Sequence, residues 1–301
     1  MVIKSRKLPN LESKNYNIKQ ASDRKTPDGM PTVTNGGFIG VINGSRGCSK
    51  TTKLIRFIEF YDQSNTFDKI ILFSPSYYND PKYQLIHKSK AKVDVYTEYT
   101  NDIFKQVAEK IANDIQVWKA YEESMKKYEK LLDWLKKHGH DIDKYPDQDY
   151  LYELSETGYM RPEKPKGMTR MPFTILIFDD LVGNKDLYSP NCKNAGTSFF
   201  ILHRHMLTSV IFISQIWKNS IPRQVRNNLS LFILFTNKSE KMKEEIAEEL
   251  SAYITVEDFI RLWDFAVKDS RFDFLMIDMD GDPALRYRKN FDTILTLEDI
   301  K

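Results

Sequence analysis

Short apolar runs, separated by polar or glycine-containing segments, recur along the chain and predict a series of buried strands. The first covers residues 37–43 and is followed by a glycine-containing loop and a helical pattern over residues 50–61. Further strands are predicted at residues 68–76, 91–98, 172–180, 208–214, 229–235 and 272–279, with 284–290 pairing with the last as an edge hairpin. Strand, glycine loop, helix and strand in this order predict an α/β fold with a mainly parallel sheet flanked by helices.

A heptad-like stripe predicts one long helix over residues 101–137. Its apolar positions recur at alternating steps of three and four residues and are interrupted only at Asp114: Phe104, Val107, Ile111, Trp118, Tyr121, Met125, Tyr128, Leu132 and Leu135. The stripe packs either inside the same chain, on the sheet or a second helix, or between subunits. Residues 138–172 have the composition of a long connection or an inserted lobe, so we expect one domain over residues 36–301 with a helical and loop insertion at about 100–171.

Composition and charge add a basic N-terminal arm to this picture. The 301 residues are 41% hydrophobic and 29% charged, which is typical of a globular protein without a membrane span or a secretion signal. Its two cysteines provide neither a disulfide framework nor the paired spacing of a zinc site. The net charge of +3 is concentrated in residues 1–35, where seven Lys or Arg face three Asp or Glu. This arm is expected either to contact nucleic acid or an acidic surface, or only to increase solubility.

The loop between the first predicted strand and helix has the pattern of a phosphate-binding loop with one departure. Residues 44–51 satisfy G-x-x-x-x-G-K-[ST], except that Ser49 replaces the second fixed glycine. In such a loop backbone N–H groups surround phosphates, Lys50 contacts the β and γ phosphates, and Thr51 holds Mg²⁺. The expected ATP-binding residues are Gly44, Ser45, Arg46, Gly47, Cys48, Ser49, Lys50, Thr51 and Thr52. The alternative is a glycine turn without a ligand.

Two aspartates at the end of a second buried strand provide the acidic groups that an ATPase requires. Asp179 ends the apolar run at 174–178, where it would hold Mg²⁺, and Asp180 follows at once, where it would orient or deprotonate the attacking water. An Asp-Asp helix cap is the alternative interpretation.

Three polar residues further along complete the candidate site. Gln215 follows the strand at 208–214 and would sense the γ-phosphate if that strand lies beside the one carrying Asp179. Arg223 and Arg226 lie in a short segment before the next strand, where an arginine could complete a neighbouring subunit's site. A polar loop residue and surface ion pairs are the alternatives.

With these elements in this order, the chain resembles the FtsK–HerA superfamily of P-loop motor ATPases. The match is closest to the genome-packaging ATPases of poxviruses, giant viruses, virophages and tailless internal-membrane phages, and it spans roughly residues 37–235. The packaging branch has an Arg-His pair upstream of the strand that ends in glutamine, and here that pair is Arg204 and His205.

The resemblance implies a RecA/FtsK-like P-loop NTPase fold and a motor that uses ATP and Mg²⁺. It also implies sequence-independent binding of double-stranded DNA, a capsid or vertex protein as partner, a pentameric or hexameric ring, and a location in the virion or the host cytoplasm. By position, Lys50 and Thr51 match the Walker A pair, Asp179 the metal residue, Asp180 the catalytic acid, Gln215 the sensor and Arg226 the trans arginine.

Two other functional classes share part of this pattern. A nucleoside or nucleotide kinase has the same loop and acidic strand end but usually needs an arginine-rich lid, whereas residues 100–170 contain only Arg161 and Arg170. A nucleotide-dependent scaffold with weak hydrolysis would follow if Ser49 impairs catalysis and the heptad stripe mediates assembly.

Overall fold

One nine-stranded sheet runs through the computed structural model, which describes residues 24–138, 160–188, 194–218 and 221–297. The strands are β1 (Ile39–Asn43), β2 (Lys69–Phe73), β3 (Lys92–Tyr96), β4 (Thr174–Asp179), β5 (Thr208–Ser214), β6 (Leu231–Phe235), β7 (Phe274–Asp278), β8 (Tyr287–Lys289) and β9 (Thr293–Ile294). Their order is β3-β2-β4-β5-β1-β6-β7-β8-β9. The first six of these strands are parallel to one another, and β7, β8 and β9 add antiparallel pairings at one side.

Helices cover both faces of the sheet. They are α1 (Lys50–Gln63), α2 (Asn101–His138), α3 (Lys185–Tyr188), α4 (Ala195–Leu202), α5 (Arg223–Arg226), α6 (Glu240–Glu249) and α7 (Val256–Val267), with 3₁₀ turns at Tyr77–Asn79, Pro81–Lys88 and Pro283–Leu285. Every residue of β1, β4, β5, β6 and β7 is buried, as expected for strands packed on two sides. The predicted fold class and the edge hairpin of β7 with β8 are confirmed.

The long helix α2 uses the first half of its stripe to pack on the sheet. Phe104, Val107, Ile111 and Ile115 belong to the core on the same face as α4, α6 and α7. Asp114 does not interrupt the helix, and its carboxylate pairs with Lys69 Nζ at 2.9 Å. This half of the stripe therefore packs inside the chain, and the first half of the predicted insertion contributes to the core of the domain.

The end of the predicted N-terminal arm also belongs to the folded domain. Residues 1–23 lie outside the described residues, but Arg24 is buried and pairs with Asp68 at 2.5 Å. Val33 is fully buried, and the Tyr61 hydroxyl donates to the Pro31 carbonyl at 2.7 Å. Residues 24–35 of the predicted arm therefore pack against the folded domain, although this stretch is mostly polar in sequence.

No helix within the described ranges combines the length and the apolar character needed to cross a membrane.

Candidate functional site

The loop over residues 44–49 leaves the carboxyl end of β1 and leads directly into α1. Its first residues are held by the neighbouring strands, since Gly44 N–H donates to the Ser214 carbonyl and Ser45 N–H to the Thr236 carbonyl, each at 3.3 Å. A Cβ on Gly44 would lie only 2.5 Å from Phe235 Cβ, so a larger residue does not fit. Gly44 therefore lets the loop turn tightly against β6 before the helix begins.

Ser49 has the backbone conformation for which such loops usually use glycine. Its φ is 69° and its ψ 31°, which is left-handed, and its side chain makes no capping hydrogen bond to α1. A left-handed residue with a Cβ costs about 1–2 kcal/mol. Ser49 therefore keeps the backbone conformation that suits glycine, and its Cβ adds conformational strain to the loop.

Lys50 begins α1 and folds back over the loop. Its Nζ donates to the Gly44 carbonyl at 2.8 Å and to the Ser45 carbonyl at 3.0 Å. Burial lowers the pKa of Lys50, while the nearby Asp179 and Asp180 act in the opposite direction. The ammonium group is therefore partly desolvated and held beside the loop, where an anion would interact with it strongly.

The two aspartates differ sharply in environment although they are adjacent. Asp179 is the last residue of β4 and is buried, whereas Asp180 is exposed and has a φ of 54° that turns the chain out of the strand. Burial raises the pKa of Asp179 to about 6, against the effect of a hydrogen bond donated by the Tyr83 hydroxyl. One carboxylate is thus fixed inside the site while the other faces solvent beside it.

A single cleft of about 200 Å³ at the carboxyl edge of β1, β4 and β5 is lined by the central predicted residues. They are Arg46, Gly47, Ser49, Lys50, Thr51, Asp179, Asp180 and Gln215. Because β5 lies directly between β1 and β4, Gln215, which follows β5, lies between the loop after β1 and the aspartates at the end of β4. Cys48 is buried behind the loop and does not line this cleft.

The arginine predicted to act between subunits lies away from the cleft of its own chain. Arg226 lines a separate cavity of about 660 Å³ at the opposite edge of the sheet, near Arg204 and Asp280. Its guanidinium pairs with Glu249 and lies 5.8 Å from the centre of the Trp217 ring. The structure therefore does not bring Arg226 to the other predicted catalytic residues within one chain.

The Arg-His pair occupies the same distant edge, in the turn before β5. Arg204 pairs with Asp280 at 3.1 Å. The preceding residue, His203, is buried and donates from Nδ1 to the Thr208 carbonyl at 2.8 Å, and burial lowers its pKa to about 4. His203 is therefore neutral and serves to hold the turn.

Sequence reasoning missed one wall of the cleft, which the connection after β2 provides. Ser76, Asp80 and Lys82 line the cleft, and Tyr83 lies beneath it. The strand was predicted to extend to residue 76, but it ends at Phe73. The serines, Asp80 and Pro81 that follow are ordinary turn residues, and they were the available signal that the strand stops early.

No protein-family model matches the sequence, and no curated protein is matched by it. Solved structures are similar in shape at low sequence identity. The genome packaging NTPase B204 from Sulfolobus turreted icosahedral virus 2, in complex with ATP-gammaS, is 16% identical over 87% of this chain and 100% of that chain, with a TM-score of 0.47. The ATPase EssC (ATPases 2 and 3) from Geobacillus thermodenitrificans is 14% identical over 85% of this chain and 39% of that chain, with a TM-score of 0.47. The pCW3 conjugation coupling protein TcpA is 12% identical over 88% and 62%, with a TM-score of 0.42.

The sheet order and the loop are sufficient to define the class of fold. A mainly parallel sheet carries the loop between β1 and α1, and an acidic residue ends β4, which is separated from β1 by the single strand β5. The chain therefore has a P-loop NTPase fold.

Proposed function

We propose that this chain is an ATP-hydrolysing motor that moves double-stranded DNA into a viral capsid as a ring of identical subunits. The observation that carries the proposal is the convergence of Lys50, Thr51, Asp179, Asp180 and Gln215 on one cleft. These side chains supply a cation for phosphates, oxygen ligands for a metal, an acceptor for a proton and a polar sensor, which together suit phosphoryl transfer to water.

The residues present suit Mg²⁺ bound with ATP. Thr51 offers a hydroxyl and Asp179 a carboxylate, which are the oxygen ligands that Mg²⁺ prefers. Both side chains lie near the Tyr83 hydroxyl, so the two oxygen groups that would bind the metal are close to one another. Mg²⁺ would neutralise charge on the phosphates.

Each remaining side chain has a distinct role in the proposed reaction. Lys50 binds the β and γ phosphates in place of its two loop carbonyls. Asp180, exposed to the cleft, orients water and accepts its proton. Gln215 contacts the γ-phosphate from the end of β5.

The DNA and ring parts of the proposal rest on the motif resemblance. They are supported by the order of the loop, the twin aspartates, the Arg204-His205 stretch and the glutamine strand. Such a motor grips phosphates without reading bases, so its DNA contacts depend on salt and not on sequence.

A turnover assay separates this proposal from its two rivals. We expect ATP hydrolysis by the full chain to be stimulated by double-stranded DNA of any sequence, and the stimulation to decline as salt increases. The assay measures phosphate release with and without DNA. Phosphate transfer to a nucleoside or nucleotide would instead indicate a kinase, and ATP binding without turnover would indicate a scaffold.

We expect Arg226 to act on the site of a neighbouring subunit, and subunit mixing tests this. Arg226→Ala subunits keep their own aspartates, and Asp180→Asn subunits keep their arginine, so mixed rings should contain some complete sites and recover ATPase activity that neither variant has alone. The measurement is ATPase rate against mixing ratio, with assembly followed by light scattering.

A matched experiment with Arg223→Ala identifies the correct arginine. Arg223 is exposed and lies one helical turn before Arg226. To reach a neighbouring subunit's site, the Arg226 guanidinium would first have to break its ion pair with Glu249. If mixing rescues Arg223→Ala but not Arg226→Ala in assembled rings, Arg226 has a structural role in its ion pair.

A further inference from the structure

The connection between β2 and β3 is fastened to the P-loop helix, and it forms one wall of the cleft. At its start, the Asp80 carboxylate accepts a hydrogen bond from Lys82 N–H at 3.0 Å and caps the 3₁₀ turn. At its end, the Ser89 hydroxyl donates to Asp62 of α1 at 2.7 Å. The second of these hydrogen bonds ties the wall to α1, which carries Lys50 and Thr51.

Tyr83 is the residue of this connection that reaches under the cleft. Its side chain is fully buried, and its ring packs 5.9 Å from that of Tyr77. Its hydroxyl donates to Oδ2 of Asp179, and the Ser74 hydroxyl reaches the same oxygen at 3.5 Å. The Tyr83 hydroxyl also interacts with Thr51. The phenol thus donates to Asp179 and lies near Thr51, the two side chains that are assigned to the metal.

We propose that Tyr83 is a positioning residue that holds the Asp179 carboxylate, through Oδ2, in the orientation that binds Mg²⁺. The inference rests on the proposed function, because it assumes that Asp179 and Thr51 hold the metal. With both hydroxyls directed at Oδ2, the second oxygen is left for the ion. Groups that orient a metal ligand typically change metal affinity by about 10–100-fold when they are removed.

The chemistry of the phenol suits this role. A phenol ordinarily has a pKa of about 10, so its hydroxyl is a hydrogen-bond donor at neutral pH, and here it donates to the Asp179 carboxylate. A buried carboxylate without donors would carry a large desolvation cost and could rotate. The Tyr83 hydroxyl, the nearer of the two donors, therefore lowers this cost and fixes the carboxylate at the same time.

The test is the Mg²⁺ affinity of Tyr83→Phe, which removes the hydroxyl and keeps the ring. We expect this variant to bind a fluorescent ATP analogue in EDTA as the unmodified protein does. We also expect it to need at least about 10-fold more Mg²⁺ for the metal-dependent change in analogue fluorescence. Ser74→Ala, which removes the more distant donor, should shift the Mg²⁺ titration in the same direction by less.

Tyr77→Phe is the matched control, because Tyr77 is a buried tyrosine of the same connection whose hydroxyl pairs with His87 at 2.5 Å. Thermal melting of all three variants identifies any loss of folding. A Mg²⁺ titration of folded Tyr83→Phe that coincides with that of Tyr77→Phe would overturn the role of Tyr83 alone. Failure of the unmodified protein to bind the analogue or Mg²⁺ would overturn the proposed function as well.

Discussion

Asp180→Asn should trap ATP in the cleft without hydrolysing it. Asp180 is the exposed acid beside the buried Asp179, and asparagine has its size but cannot accept the proton of an attacking water. Loss of a general base typically lowers the rate by about 10²–10⁴-fold. We therefore expect kcat to fall by about that factor while the Kd for ATP stays within about twofold, as measured by phosphate release and by titration with a fluorescent ATP analogue.

The control for this prediction is a second exposed aspartate that lies outside the cleft. Asp292→Asn removes the same charge between β8 and β9, next to Thr293. It should leave kcat and ATP binding unchanged. Turnover by Asp180→Asn at the rate of Asp292→Asn would remove Asp180 from the catalytic role, and joint loss of binding and turnover would assign it to nucleotide binding.

The central part of the fold could be predicted because local pattern and tertiary environment agree there. In parallel strands buried on both faces nearly every position is apolar, so runs such as 208–214 stand out in the sequence and match β5 residue for residue. The loop after β1 and the aspartates after β4 were located for the same reason. Carboxyl ends of parallel strands meet at one edge, so these polar groups had to lie near one another.

The parts that could not be predicted depend on contacts between distant residues. Tyr83 and Asp179 are 96 positions apart, and neither the tyrosine nor its surroundings has a periodicity that indicates the contact. The pairing of Arg226 with Glu249 likewise requires the packing of α6 beside α5. A polar segment such as residues 24–35 shows few apolar residues, although those few are buried.

The effect of Ser49, which replaces the usual glycine of the loop, can be judged only from its backbone angles. The sequence shows a serine where glycine is usual, and it does not reveal whether the loop changes its path or accepts strain. The left-handed φ of 69° indicates that the path is kept. Ser49 thus takes a glycine-like backbone conformation at a position where the sequence motif is incomplete.

Asp179 links the stability of the domain to its proposed activity. Its pKa in the folded chain is raised from 3.8 to about 6 by burial, so the folded state holds a proton that the unfolded state releases. Between these two values stability must fall as pH rises, and above about pH 6 the cost of the buried charge is fully present. At about 1.4 kcal/mol per pKa unit, that cost is at most about 3 kcal/mol.

Asp179→Asn should therefore stabilise the protein without metal or nucleotide while abolishing hydrolysis. Asparagine can still accept the hydrogen bond from Tyr83 and carries no buried charge, so in EDTA we expect its Tm to rise by a few degrees at about pH 8 and by less at about pH 4.5. Thermal melts at both pH values measure this, and phosphate release should show a loss of at least about 10²-fold. Asp292→Asn, an exposed control, should show neither change. A Tm for Asp179→Asn below that of the unmodified protein at about pH 8 would mean that the carboxylate stabilises the fold, and that its charge is compensated by its surroundings.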